Sequence, residues 1–148
     1  MDDSLEEDPQ RAAFEQVIGL LTPLRQHRQA SAERAQRQAQ VELKSMLDHL
    51  SVTRASLDRE RDQQKQQREI LAQAHLEKTI CRHDVDRWHA RENTMLDCLA
   101  AIRQDIQQQQ LRIDEQQALV HERQRQAKAS QRAVEKLACM SEALNEEG

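Results

Sequence analysis

The chain has 148 residues, a formal net charge of −4 and an apolar share of 37 %, yet 18 of its apolar residues are alanine. Leu, Ile, Val and Phe number only 29, and one Phe, one Trp and no Tyr leave little aromatic bulk for a core. Two Gly and two Pro cannot furnish the turns of a sheet, a barrel or a Gly-rich phosphate loop, so those classes are excluded. What remains is Ala, Leu, Gln, Glu, Arg and Lys, the strong helix formers, with 22 Gln alone. Long helices follow.

Residues 1–10, MDDSLEEDPQ, are acidic and lack a periodic apolar face, which predicts a disordered tail. The same acidity argues against a signal peptide. In residues 11–22, Phe14, Val17, Ile18 and Leu21 fall at i, i+3, i+4 and i+7 and predict a short amphipathic segment. Gly19 weakens that segment and Pro23 is expected to end it. Thr22-Pro23 then opens the next helix, with Thr as N-cap and Pro at the first helical position. No Gly, Pro or Asn occurs from Leu24 to Lys78, so one helix is predicted over about 23–78. Thr79-Ile-Cys-Arg-His-Asp-Val85 is the one plausible internal break, with Asp84 as cap. A second helix is predicted over about 85–144, and residues 145–148 are expected to be a disordered tail.

Heptads select the architecture. In the second helix, one sevenfold row reads Val85, Glu92, Leu99, Ile106, Ile113, Val120, Ala127 and Val134. A row three residues on reads Trp88, Met95, Ile102, Gln109, Gln116, Arg123, Ser130 and Leu137. The first helix offers Leu43, Leu50, Leu57, Gln64 and Leu71, with a companion row of Leu47, Arg54, Arg61, Arg68 and His75. A fold-back at residues 81–82 sets Leu57 against Ile106, Leu50 against Ile113, Leu43 against Val120 and Gln64 against Leu99. It also sets Leu47 against Gln116, Arg54 against Gln109, Arg61 against Ile102, Arg68 against Met95 and His75 against Trp88. The predicted fold is therefore all-α, a long antiparallel two-helix coiled-coil hairpin over 23–144. Arg and Gln in its seam predict marginal stability alone, completed by a partner.

Little in the sequence speaks for chemistry. His75, Cys81, His83, His89 and Cys98 gather near the turn, but their spacing matches no zinc pattern. Three cysteines without a CxxC pair read as reduced thiols. Two helices make no water-excluding cleft for a nucleophile and an oxyanion hole, so no catalytic residue, metal or cofactor is expected. Without an aromatic platform, nucleic acid is not an expected partner. No apolar run approaches the ~18 residues of a membrane span, so membrane insertion is not expected.

Charge is distributed unevenly. Residues 1–22 carry six acids against Arg11. Residues 25–41 carry Arg25, Arg28, Arg34 and Arg37 against Glu33, and residues 121–136 carry Arg123, Arg125, Lys128, Arg132 and Lys136 against Glu122 and Glu135. Each basic stretch is thus a net +3, and the predicted hairpin sets both at its open end. They read either as a solvated helical face or as a collar that docks on an acidic ring or groove. On the second reading the candidate partner-binding residues are Arg25, Arg28, Arg34, Arg37, Arg125, Lys128, Arg132 and Lys136.

Two stretches carry a resemblance. Leu24-Arg25-Gln-His-Arg28-Gln-Ala-Ser-Ala-Glu33-Arg34-Ala35 and Asp84-Val-Asp-Arg-Trp88-His-Ala-Arg91 are similar to the openings of the two helices in the type III secretion stalk proteins of the YscO/HrpO group, whose flagellar relatives are the FliJ proteins. The resemblance implies a non-catalytic central stalk that inserts a coiled coil into a hexameric export ATPase. It also implies a link from that ring to the export gate, and for some members binding of secretion chaperones. A monomeric hairpin, cytoplasmic and peripheral to the membrane export apparatus, with a role in virulence, is the corresponding expectation. The acidic segment before Thr22 departs from the family pattern. A secretion chaperone or adaptor and a generic coiled-coil scaffold are the alternative readings.

Overall fold

A computed structural model describes residues 8–76 and 81–147. Helix α1 spans Pro9–Leu76 and helix α2 spans Arg82–Glu146. The two pack against each other, and the described residues contain no strand, so the protein is an all-α two-helix hairpin. Its contacts divide into a first unit, residues 8–42 with 116–147, and a second unit, Leu43–Glu115.

The start of α1 corrects the sequence reading. Asp8 is the N-cap: its Oδ1 accepts the Gln10 backbone N–H at 3.1 Å, and its carbonyl accepts the Ala12 N–H at 3.1 Å. Pro9 follows at the first helical position, where no intrahelical donor is needed. Cap and proline thus occur twice, as Asp8-Pro9 and Thr22-Pro23, and the first pair opens the helix. Residues 11–22 are not a separate segment, and α1 runs through Pro23. One local feature eases that passage. The Thr22 hydroxyl donates to the Ile18 carbonyl at 2.7 Å, holding the turn before the proline. Pro23 nevertheless removes one ladder bond, so Pro23→Ala should raise the melting temperature, by up to about 3 kcal/mol of stability. Thermal melts by circular dichroism will read it.

Helix α2 begins at Arg82, three residues earlier than expected, and ends at Glu146, within the stretch expected to be a tail. The cap is Cys81, whose carbonyl accepts the Asp84 and Val85 N–H groups, while its thiol meets the Asp84 carboxylate at 3.2 Å. Asp84 therefore sits inside the first turn, favourable for an acid but not the cap itself. The expected acidic tail before Asp8 and the break at residues 79–80 lie outside the described residues.

In the second unit, Leu50, Leu57, Leu99 and Ile113 are buried together with Thr53, Gln64 and Gln109. Both predicted rows of α2 are buried or half-buried, and so is the Leu43–Leu71 row of α1. The companion row is wrong. Leu47, Arg54, Arg61 and Arg68 are exposed, and Met46, Thr53 and Glu60 take the inward place. The step from one seam position to the next is here three residues, not four, which turns the arginines outward. Gln64 Nε2 donates to the Met95 carbonyl at 2.9 Å, the carbonyl that in the helix points toward the expected Leu99. Pairing on the companion row shifts accordingly. Arg68 pairs with Glu92 at 3.2 Å instead of facing Met95, and Gln109 reaches Thr53 Oγ1 at 2.9 Å rather than Arg54. His75 does meet Trp88, with ring centroids 6.1 Å apart.

Gln109 has a further consequence. Its amide nitrogen donates to Thr53 and to Asp105, but its buried Oε1 has no partner among the described residues. A buried, unmet acceptor costs about 1–3 kcal/mol. Thr53 already donates to the His49 carbonyl at 3.0 Å, so losing Gln109 leaves that hydroxyl satisfied. Gln109→Leu should therefore raise the thermal midpoint, and a lower midpoint would show that Oε1 holds a bound water.

In the first unit, Ile18, Ala39, Val120, Ala127 and Leu137 form the seam. Gln116 donates to the Ala39 carbonyl at 3.0 Å, eight residues from its expected partner Leu47. Among the described residues no large side chain of either unit is less than 2 % exposed. Two helices shield each other without closing a core.

Candidate partner-binding surface

The first unit contains all eight predicted contact residues. They are not equivalent. Arg25 is half-buried and donates from Nη1 to the Ala133 carbonyl at 2.9 Å, tying α1 to α2. The Arg125 guanidinium is paired with Glu122 one turn back. Arg28, Arg34, Arg37, Lys128, Arg132 and Lys136 are exposed, and among the described residues none has an acidic partner within ion-pair distance.

Three of the eight converge. Arg25 and Arg28 from α1 and Lys136 from α2 border one cavity of about 450 Å³, floored by Ala129, Ser130 and Ala133. Small residues let the helices open a trough there, and the long cationic side chains stand around its rim. Such a trough is suited to carboxylates, by charge and by the forked donors of arginine.

The apolar stripe of α1 in the same unit is the one read from the sequence, there without Leu20 and Leu24. Phe14, Val17, Ile18 and Leu21 form a stripe wider than the seam. Only Ile18 turns fully inward, while Phe14 and Val17 stay 53 % and 52 % exposed. Leu20 and Leu24 join them outside. Exposed Leu20 and Leu24 at the same helical spacing were the available signal.

The residues that gather near the turn make ordinary contacts. Among the described residues no three His, Cys, Asp or Glu side chains cluster as metal ligands. His75 packs on Trp88, and Cys81, Cys98 and Cys139 are exposed free thiols. No described helix is long and apolar enough to cross a membrane. Compared with known proteins, the chain matches no family model, no curated protein and no solved structure.

Proposed function

We propose that the protein is a non-catalytic stalk component of a type III secretion export apparatus, docking by its basic surface on an acidic hexameric export ATPase. The observation that carries this reading is the convergence of Arg25, Arg28 and Lys136, from both helices, around one trough of the first unit. The resemblance of the Leu24–Ala35 and Asp84–Arg91 stretches to the stalk proteins names the ATPase as the partner, with the export gate and secretion chaperones as further contacts. A long two-helix hairpin with an uneven charge pattern presents different faces to identical subunits and can bias them into different states. In this role it acts in the cytoplasm at the membrane export apparatus and hydrolyses nothing itself.

Co-purification with the hexameric ATPase, paired with its rate of ATP hydrolysis, tests the proposal. Association and a changed rate are the expected result. The second reading, an adaptor or secretion chaperone, draws on the exposed Phe14, Val17, Leu20 and Leu24. It predicts binding to a secreted client and no effect on ATP hydrolysis.

A further inference from the structure

Two packed helices leave a groove along each flank, and two cavities of the first unit mark one of them. Along α1, Phe14, Val17, Leu21, Leu24 and Arg28 recur at three- and four-residue spacing and share an edge. Along α2, Ala129, Ala133, Lys136, Met140 and Leu144 recur in the same way and form the facing edge. One end of the groove is the cationic trough of Arg25, Arg28 and Lys136. The other is a cavity of about 390 Å³ bordered by Arg11, Phe14 and Leu144. Between them Leu20 is 64 % exposed, Leu24 55 % and Met140 38 %. With Phe14 and Val17 these make an exposed apolar patch, a feature that in soluble proteins often marks a docking site.

The flank is also free of acid between its two ends. Glu15 is paired with Arg11 at 3.4 Å and lines the opposite flank with Gly19 and Pro23. Glu135 and Glu142 each follow a groove residue by two positions, ~200° around α2. Acids appear only at the Phe14 end, where Asp8 and Glu147 border the cavity. An apolar trough that turns cationic at one end, with no carboxylate of its own there, is complementary to one kind of surface.

We infer that this groove receives a third helix from a partner protein, an amphipathic helix with an apolar seam and carboxylates along the edge that meets Arg28 and Lys136. The concavity between two packed helices accepts the ridge of a third, whereas a planar lipid surface would touch only its crests. A second copy of the chain would bring another acid-free edge and leave the cations unmatched. The inference shares Arg28 and Lys136 with the proposed docking surface. The apolar edge is its own, and it does not depend on the partner being an ATPase.

The test uses the full chain and two labelled three-heptad peptides with Leu at a and d, one bearing Glu and the other Lys at e and g. Fluorescence anisotropy should show the Glu peptide binding at least about tenfold tighter than the Lys peptide. Val17→Ser with Leu24→Ser should weaken the Glu peptide about tenfold, with an unchanged melting curve because both side chains are more than half exposed. Arg28→Glu with Lys136→Glu should reverse the preference. Arg34→Glu with Arg37→Glu, beyond the groove, should leave peptide binding intact while weakening the ATPase, which separates this inference from the proposed function. Equal binding of the two peptides, or none of either, overturns it. So does a dimer in sedimentation, or flotation with phosphatidylserine vesicles, that the Val17 and Leu24 variant abolishes while peptide binding persists.

Discussion

Leu57→Asp should cost the hairpin its cooperative melt, whereas Val52→Asp, five residues away, should leave it nearly unchanged. Leu57 is 9 % exposed in the seam of the second unit and Val52 is 62 % exposed. Truncating a buried leucine costs about 2–5 kcal/mol through lost burial and the space left behind. The carboxylate adds a penalty, since a charge in the seam must be hydrated, paired or neutralised. Arg54 and Arg61 lie three residues before and four after position 57, and both are exposed. They can draw the new carboxylate outward, but only by opening the seam in which Leu50, Thr53 and Leu99 are also buried. Leu57→Asn separates the two causes, because it keeps size and polarity without the charge. A loss of about 4 kcal/mol is a large fraction of the 5–15 kcal/mol that ordinary domains possess. Circular dichroism at 222 nm against temperature is the measurement. A melting point shifted by only a degree or two would mean that the neighbouring leucines carry the seam without Leu57.

The same layer shows what could be read from the residues and what could not. Both sevenfold rows of α2 were legible, because Leu99, Ile106, Ile113 and Val120 leave one possible inward face. In α1 the Leu43–Leu71 row was equally plain. Its companion was ambiguous, since a polar seam offers Met46 and Leu47, or Thr53 and Arg54, with similar apolar weight. Arg54, Arg61 and Arg68 recurring in one row were the overlooked clue, because three guanidiniums in line favour water. Pro23 misled for a different reason. Proline ends a helix when nothing outside the helix compensates, and here packing of α2 residues beside Ile18 and Arg25 holds the chain in register on both sides of it. The basic surface was legible as two charge runs. Which of its members are committed was not, since Arg25 reaching the Ala133 carbonyl and Arg125 reaching Glu122 depend on side-chain reach in three dimensions.

That division of labour decides how the basic surface should be attacked. Replacing Arg28, Arg34, Arg125 and Arg132 by Glu should abolish association with the ATPase, while replacing Arg25 would confuse docking with folding. Arg28, Arg34, Arg125 and Arg132 are all exposed, and exposed positions away from caps and seams change stability by about 0.5 kcal/mol or less each. Arg125 gives up one pair with Glu122, worth little at a surface so open to water. Against an acidic ring, each reversal exchanges an attraction for a repulsion. At about 1 kcal/mol apiece, four reversals weaken binding roughly a thousandfold. Binding by the unaltered protein should fall as salt rises, because charges on exposed side chains are screened over about 8 Å at 0.15 M ionic strength. Stimulation of ATP hydrolysis should vanish with the association, and the melting curve should stay where it is. An unchanged affinity in the reversed protein would move the contact off this surface, to the Cys81–Asp84 end of α2 or to the polar seam of Thr53, Gln64 and Gln109.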